Sequence, residues 1–165
     1  MKIVVVADTH MPRSAKALPK RLVAELSDAK LILHAGDWTS EEVYRELARY
    51  APVEGVAGNN DGGELAKRLG FSKIVRCGGF RIGLTHGHLP NPKRTALRNA
   101  SLAFSPDEVD AVVFGHSHIP LLKRENGLLL FNPGSPTAKR RQPQYSFGIL
   151  QTGEQGLKAR HIFFD

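Results

Sequence analysis

Five short polar blocks, each closing an apolar run, constrain this chain more than any other feature. Asp8-Thr9-His10 follows residues 3–6, Gly36-Asp37 follows 31–35, and Gly58-Asn59-Asn60-Asp61 follows 52–56. His86-Gly87-His88 follows 80–85, and Gly115-His116-Ser117-His118 follows 111–114. Runs this short and this apolar match strands buried on both faces rather than helices. As strand ends, the blocks are delivered to one edge of a sheet. Carboxylate, amide and imidazole groups gathered there form a donor set that can hold two divalent cations.

The rest of the pattern alternates strands with amphipathic stretches. Leu18, Leu22 and Leu26 fall at helical spacing, Thr39-Ser40-Glu41-Glu42 is a helix start whose helix runs to Tyr50 before Pro52, and residues 95–103 are helical. Residues 73–75 and 80–85 form a hairpin across Gly78-Gly79. Further strands at 121–123, 128–131, 145–150 and 157–164 are divided by turns at Asn126-Gly127, Asn132-Pro133-Gly134 and Thr152-Gly153. The expectation is an α/β chain forming one domain over residues 1–165. Its β-rich C-terminal half packs against an α/β N-terminal half as a two-layer β-sandwich flanked by α-helices.

Composition narrows the classes of function. A chain of 165 residues with 41% hydrophobic content can bury a full core. No run approaches the ~18 apolar residues of a membrane span, and Met1-Lys2 leads directly into a strand pattern without a signal-peptide layout. Cys77 is the one cysteine, so no intrachain disulfide forms, and a cytoplasmic location is expected, with Cys77 as a small filler before Gly78-Gly79. The net charge of +7 and pI near 9.8 favour anionic partners, phosphate esters among them. The basic residues are scattered without aromatic interleaving, which argues against a nucleic-acid partner. Arg13 could stabilise developing charge and Lys139-Arg140-Arg141 could meet phosphate groups, with solvated surface as the preferred reading of both.

Each block alone has a plain structural explanation. Asp8 and His10 share one side of an extended segment and can grip one ion, yet such a triplet is common by chance. Asp37 suits a turn or helix cap, although its two oxygens can also bridge two cations. Asn59 lies in a loop whose Gly, Asn and Asp residues all suit a tight turn. The histidines are harder to explain separately. Four of seven fall in the two blocks His86-Gly87-His88 and His116-Ser117-His118, while His34 and His161 read as structural.

Together the five ordered blocks, with the Asn132-Pro133-Gly134-Ser135 turn, resemble the calcineurin-like metallophosphoesterase superfamily, and within it a small bacterial and archaeal phosphodiesterase group. The resemblance spans nearly the whole chain and implies the calcineurin-like metallophosphoesterase fold. It implies Asp8, His10 and His118 as ligands of one metal, Asn59, His86 and His116 as ligands of the other, and Asp37 as the bridge. It further implies metal-assisted hydrolysis of small phosphate esters, most simply phosphodiesters, by a hydroxide shared between the ions, with Asp37, Asn59, His86 and His88 as catalytic residues. Manganese is the first expectation for the two divalent ions, with nickel, iron, zinc, cobalt or magnesium as alternatives. One position departs from the larger family members, where a histidine that protonates the leaving alcohol occupies the place of Asn60. An amide is no general acid, which leaves His88 or a bound water to donate. Asp61 stands beside Asn60 as the acid that could orient a histidine installed there. Rival readings are a metal-binding or protein-interaction scaffold on the same fold and, further off, a nuclease; a homo-oligomer is compatible with all three.

Overall fold

The computed structural model describes residues 1–165. In chain order the elements are β1 (Lys2–Val6), α1 (Lys20–Leu26), β2 (Leu31–His34), α2 (Glu41–Ala48), β3 (Val53–Gly55), α3 (Gly63–Leu69), β4 (Ser72–Cys77), β5 (Phe80–Thr85), α4 (Ala96–Ala103), β6 (Ala111–Val113), β7 (Leu121–Glu125), β8 (Leu128–Asn132), β9 (Tyr145–Gly153) and β10 (Gly156–Phe164). They build two five-stranded sheets, β10-β9-β1-β2-β3 and β4-β5-β6-β8-β7.

The period-two alternation of strand side chains divides the apolar residues between three cores. Along β1, Val4 and Val6 turn outward with Ile32 of β2 to meet Leu22, Leu26, Val43, Leu47, Leu65 and Leu69 of α1, α2 and α3. Ile3 and Val5 turn the other way with Leu31 and Leu33, against Ile82, Leu84, Ala111, Val113, Leu129 and Phe131 of the second sheet. On the far side of that sheet, Val112, Leu128 and Leu130 receive Ala96 and Ala100 of α4, whose start is capped by the Thr95 hydroxyl accepting from Arg98 N–H. The layers are therefore helices, sheet, sheet, helix, the expected sandwich.

Two features differ from the expectation. The C-terminal strands do not stay with the C-terminal half: β9 pairs antiparallel with β1, from Lys2 opposite Gln151 to Val5 opposite Gly148, and β10 pairs with β9. A strand buried on both faces must have both edges hydrogen-bonded, and β2 covers only one edge of β1. The other difference is α3, which lies in a stretch to which the sequence pattern assigned no element. Leu65 and Leu69 lie one turn apart and give it a buried stripe, a short signal hidden beside Gly62-Gly63.

Strand direction positions the site. In the first sheet β1, β2 and β3 run parallel, and in the second β5, β6 and β8 do so. Parallel strands end at the same sheet edge, so the segments that follow them all open at one end of the sandwich.

Candidate metal centre

The backbone of these segments is strained where the ligand-type side chains sit. Asp8, His10, Asp37, His116 and His118 all have positive φ, between 43° and 71°. Left-handed backbone at a non-glycine residue is uncommon and persists only when its surroundings over-determine it. Here they do. Asp8 N–H donates to Gly36 O at 2.9 Å and His10 N–H to Asp37 O at 3.0 Å, so the first two loops hold each other. Glycines permit the close approach: a Cβ on Gly36, itself at φ 97°, would lie 2.7 Å from His86 Nδ1, and one on Gly58 would overlap the Asp37 carboxylate.

Two clusters result, one of Asp8, His10 and His118 and one of Asp37, His86 and His116, each with ligand-type atoms within 4.8 Å of one another. In the first, Asp8 Oδ1 lies 3.5 Å from His118 Nε2 and 3.9 Å from His10 Nε2, and the two imidazole nitrogens are 3.2 Å apart. In the second, Asp37 Oδ2 is 3.3 Å from His86 Nε2. The same oxygen is 3.5 Å from His10 Nε2, so Asp37 faces both clusters. Asn59 Oδ1 approaches His86 Nε2 to 3.1 Å. His88 stands at the edge: its half-buried ring meets those of His86 and His116 at centroid separations of 5.3 and 6.2 Å, and Phe71 at 5.6 Å.

The donor set fits cations. His86 Nδ1 donates to Ala35 O at 2.7 Å and His118 Nδ1 donates to Ala138 O, which leaves the Nε2 lone pair of each neutral ring facing inward. His86 Nε2 then confronts the oxygens of Asp37 and Asn59, three acceptors with no proton among them unless His86 is charged. Asp8 Oδ1 is fully buried and has no hydrogen-bond partner. An unpaired buried oxygen costs free energy that a coordinated cation removes.

The electrostatics carry the same message. Burial pushes the Asp8 carboxyl up to about 7, against the opposing pull of His86. Burial also opposes ionisation of Asp37, but the hydrogen bond and charge of His86 and the bonds from Asn60 outweigh it and hold this carboxyl below its usual range. His86 is raised: burial disfavours its charge, and Asp37 and Asp8 overcome that cost. Burial depresses His10 and His116, and lowers His118 and His88 to about 4 each. Cationic charge at this place would reverse the penalty on Asp8.

An outer layer fixes these groups. Asp61 Oδ2 accepts from the backbone N–H groups of Asp37 and Gly58 at 2.8 Å and Trp38 at 3.2 Å, and its Oδ1 accepts from Thr39 N–H at 2.8 Å. Its carboxylate thus clasps two ligand loops, with every bond it accepts coming from a backbone donor rather than from the side chain at position 60. Asn60 donates from its backbone N–H to Asp37 Oδ1 at 2.9 Å and from Nδ2 to Asp37 Oδ2 at 2.7 Å. Ser135 Oγ donates to Asp8 O, Thr137 Oγ1 to Thr9 O, and Asn132 Nδ2 to Gly115 O. His34 lies beneath, accepting Gly36 N–H on Nδ1, bonding Thr9 Oγ1 through Nε2 and stacking on Trp38 at 3.6 Å, a structural role. His161 likewise bonds Asn132 O at 2.7 Å, away from both clusters. Sequence reasoning missed Asp61, Asn132 and Thr137 as organisers: Asp61 was visible as part of the 58–61 block and Asn132 as part of the 132–135 turn, while Thr137 carried no signal.

Beside the first cluster opens a cleft of about 300 Å³ lined by His10, Arg13, Ser14, Asn60, His118, Ala138 and Arg140. Arg13 and Arg140 are solvent-exposed as expected, but they are also walls of this cleft.

Residues 1–155 match the calcineurin-like phosphoesterase superfamily domain. The chain is 38% identical over 145 residues to a probable metallophosphoesterase of Methanothermobacter thermautotrophicus, covering 85% of this chain and 80% of that protein. Among solved structures, it resembles Vps29 of Entamoeba histolytica complexed with Zn²⁺, with TM-score 0.77, 25% identity and both chains covered completely. A structure described as a novel archaeal phosphodiesterase matches with TM-score 0.71 and 25% identity, covering 99% of this chain and 100% of that one. No helix is long and apolar enough to cross a membrane.

Proposed function

Since this chain belongs to the calcineurin-like phosphoesterase superfamily, we propose that it is a binuclear-metal-dependent phosphoesterase acting on small phosphodiesters. Asp8, His10 and His118 would hold one divalent ion and Asn59, His86 and His116 the other, with Asp37 between them. The observation that carries this reading is the arrangement around Asp8 and Asp37: an unpaired buried carboxylate oxygen among three Nε2 atoms within 3.9 Å, and a second carboxylate oriented to both clusters. Manganese heads the expected metals, and the oxygen and nitrogen donors accept zinc, iron, nickel, cobalt or magnesium as well.

When bound, the two ions supply Lewis-acid polarisation of the phosphoryl group and a nucleophile available at neutral pH. The chain's own residues supply position. Ala35 O and Ala138 O fix the His86 and His118 rings in the tautomer that points Nε2 inward. Asn60 holds both Asp37 oxygens, and Asp61 holds the turn that carries Asp37. Because Asn60 offers an amide where a general acid would stand, the departing alcohol leaves with little protonation from this position.

Metal analysis of the purified protein, combined with hydrolysis of a series of phosphodiesters of graded leaving-group pKa and of matched monoesters, tests this reading. Two metals per chain, faster turnover of diesters and a rate that climbs as the leaving group becomes more acidic are expected. Stoichiometric metal uptake with no turnover of any ester would favour the binding-scaffold alternative.

A further inference from the structure

Arg13 and Arg140 share the cleft beside the Asp8, His10 and His118 cluster, and neither makes an ion pair or side-chain hydrogen bond within the chain. Only Arg21, Arg68 and Arg81 pair within the chain, with Glu25, Glu41 and Asp110, so what sets Arg13 and Arg140 apart is their place in this cleft. Arg140 is also set with unusual care for a surface residue. Its backbone has φ 51°, and the segment before it is bound to the site through Ser135 Oγ to Asp8 O, Thr137 Oγ1 to Thr9 O and His118 Nδ1 to Ala138 O. Arg140 lines the cleft together with His10 and His118 of the first cluster. A guanidinium beside groups suited to cations works against cation binding, unless an anion lies between the two.

Resting on the proposed phosphoesterase reading, we propose that Arg140, assisted by Arg13, is a substrate-positioning residue that binds phosphate oxygens in this cleft and thereby couples metal retention to anion occupancy. The guanidinium fork suits phosphate oxygens. At about 300 Å³ the cleft lies at the lower end of ligand pockets, roughly 300–1,000 Å³, and suits a small ester. With the cleft empty, Arg140 repels the ions. With phosphate present, ions and arginine attract the same group, and each bound partner tightens the other.

The test is titration of Mn²⁺ by calorimetry into the wild-type chain, Arg140→Gln, Arg140→Lys and Arg13→Gln, with and without inorganic phosphate. In the wild type, phosphate should tighten metal binding about tenfold, within the roughly 5–150-fold range of ordinary coupling between sites. Arg140→Gln should bind Mn²⁺ more tightly than wild type without phosphate, and phosphate should then change its affinity by less than about threefold. Arg140→Lys should recover part of the coupling, and Arg13→Gln should lose part of it. Equal coupling in wild type and Arg140→Gln, or weaker Mn²⁺ binding by Arg140→Gln without phosphate, overturns this inference and leaves the proposed metal centre standing. A wild-type chain that takes up no metal overturns both. Since both arginines are exposed and unpaired, the variants should keep the wild-type unfolding midpoint, which urea titration verifies.

Discussion

Removing the Asp61 carboxylate should damage the site more than its position outside both metal-type clusters suggests. Four backbone donors converge on it, and three belong to the buried residues Asp37, Trp38 and Gly58. Asp61→Ala strands those three, at ~1–3 kcal/mol for each buried donor left unsatisfied. Water entering the vacated space can recover part of this, and the Thr39 N–H is accessible enough to find water unaided. A net loss of about 4 kcal/mol follows, a large share of the ~5–15 kcal/mol that holds a typical domain folded. Asp61→Asn keeps one oxygen in place for the three buried donors and sets its amide NH2, itself a donor, against Thr39 N–H, which must turn to water. It converts charge-assisted bonds into neutral ones, with a loss of about 2 kcal/mol.

Urea unfolding of the metal-free proteins measures both values. With a slope of ~2 kcal/mol/M, Asp61→Ala should lower the midpoint by about 2 M and Asp61→Asn by about 1 M. Since Asp61 joins the Asp37 and Asn59 loops, Asp61→Ala should also weaken metal binding by roughly 10–100-fold, the usual cost of removing an outer-layer partner. A midpoint within 0.5 M of wild type for Asp61→Ala, or equal losses in the Ala and Asn variants, would refute the view that this carboxylate holds the site's backbone together.

Three further outcomes follow from the same geometry. Asp37→Asn should keep a cooperative fold with a lowered unfolding midpoint, since it removes the charge that His86 and Asn60 hold, while turnover falls by roughly a hundredfold or more; near-normal turnover with two metals still bound would count against a bridging role. Asn60→His should fail to rescue esters with poor leaving groups, because Asp61 is engaged by backbone donors and the change removes the amide bond to Asp37 Oδ2; a leaving-group series on both proteins checks this, and selective gain on alkyl esters would refute it. Stability of the metal-free chain should fall with acidification from pH 6.5 towards about 4. Burial depresses His10, His34, His88, His116 and His118, so their share is full above the unfolded value of 6.5 and is lost as the unfolded chain takes up protons that the folded one resists. Asp8, raised to about 7, acts in the opposite sense over this range and blunts the fall, whereas His86, also raised, already gives its stabilisation in full below the unfolded value of 6.5. Urea midpoints at pH 7.5 and 5 measure the balance, and a higher midpoint at pH 5 would show the sign to be wrong.

What the sequence made legible was whatever depends on neighbours in the chain. The strand of residues 2–6 is apolar on both faces, and it is in fact sandwiched between α1, α2 and the second sheet. The hairpin across Gly78-Gly79 formed with Cys77 opposite Phe80. What remained hidden depends on partners far along the chain. Nothing local in residues 145–153 says that they join β1 rather than the sheet of β8. That choice follows from the open edge of β1, a property of the assembled sheet. Helix α3 has only two buried leucines and begins at a glycine, so its stability comes from the core it joins rather than from its own propensity.

The site divides along the same line. Asp8, His10, Asp37, Asn59, His86, His116 and His118 could be picked out because ligand-type residues at successive strand ends are rare as a pattern, and the fold brings them together. The roles of the groups that hold them were not legible: Asp61 and Thr137 bond backbone atoms, as do Asn132 and Ser135, which the sequence showed only as members of a turn motif. Asp61 illustrates the point. Beside Asn60 in sequence it looked like an acid free to orient a neighbouring side chain, yet its value lies in accepting N–H groups from residues 37 to 39 and 58. Backbone donors carry no residue identity, so a site held by them is written in the fold before it is visible in the sequence. The strained, left-handed backbone at five of the ligand-type residues exists only because this network holds it there.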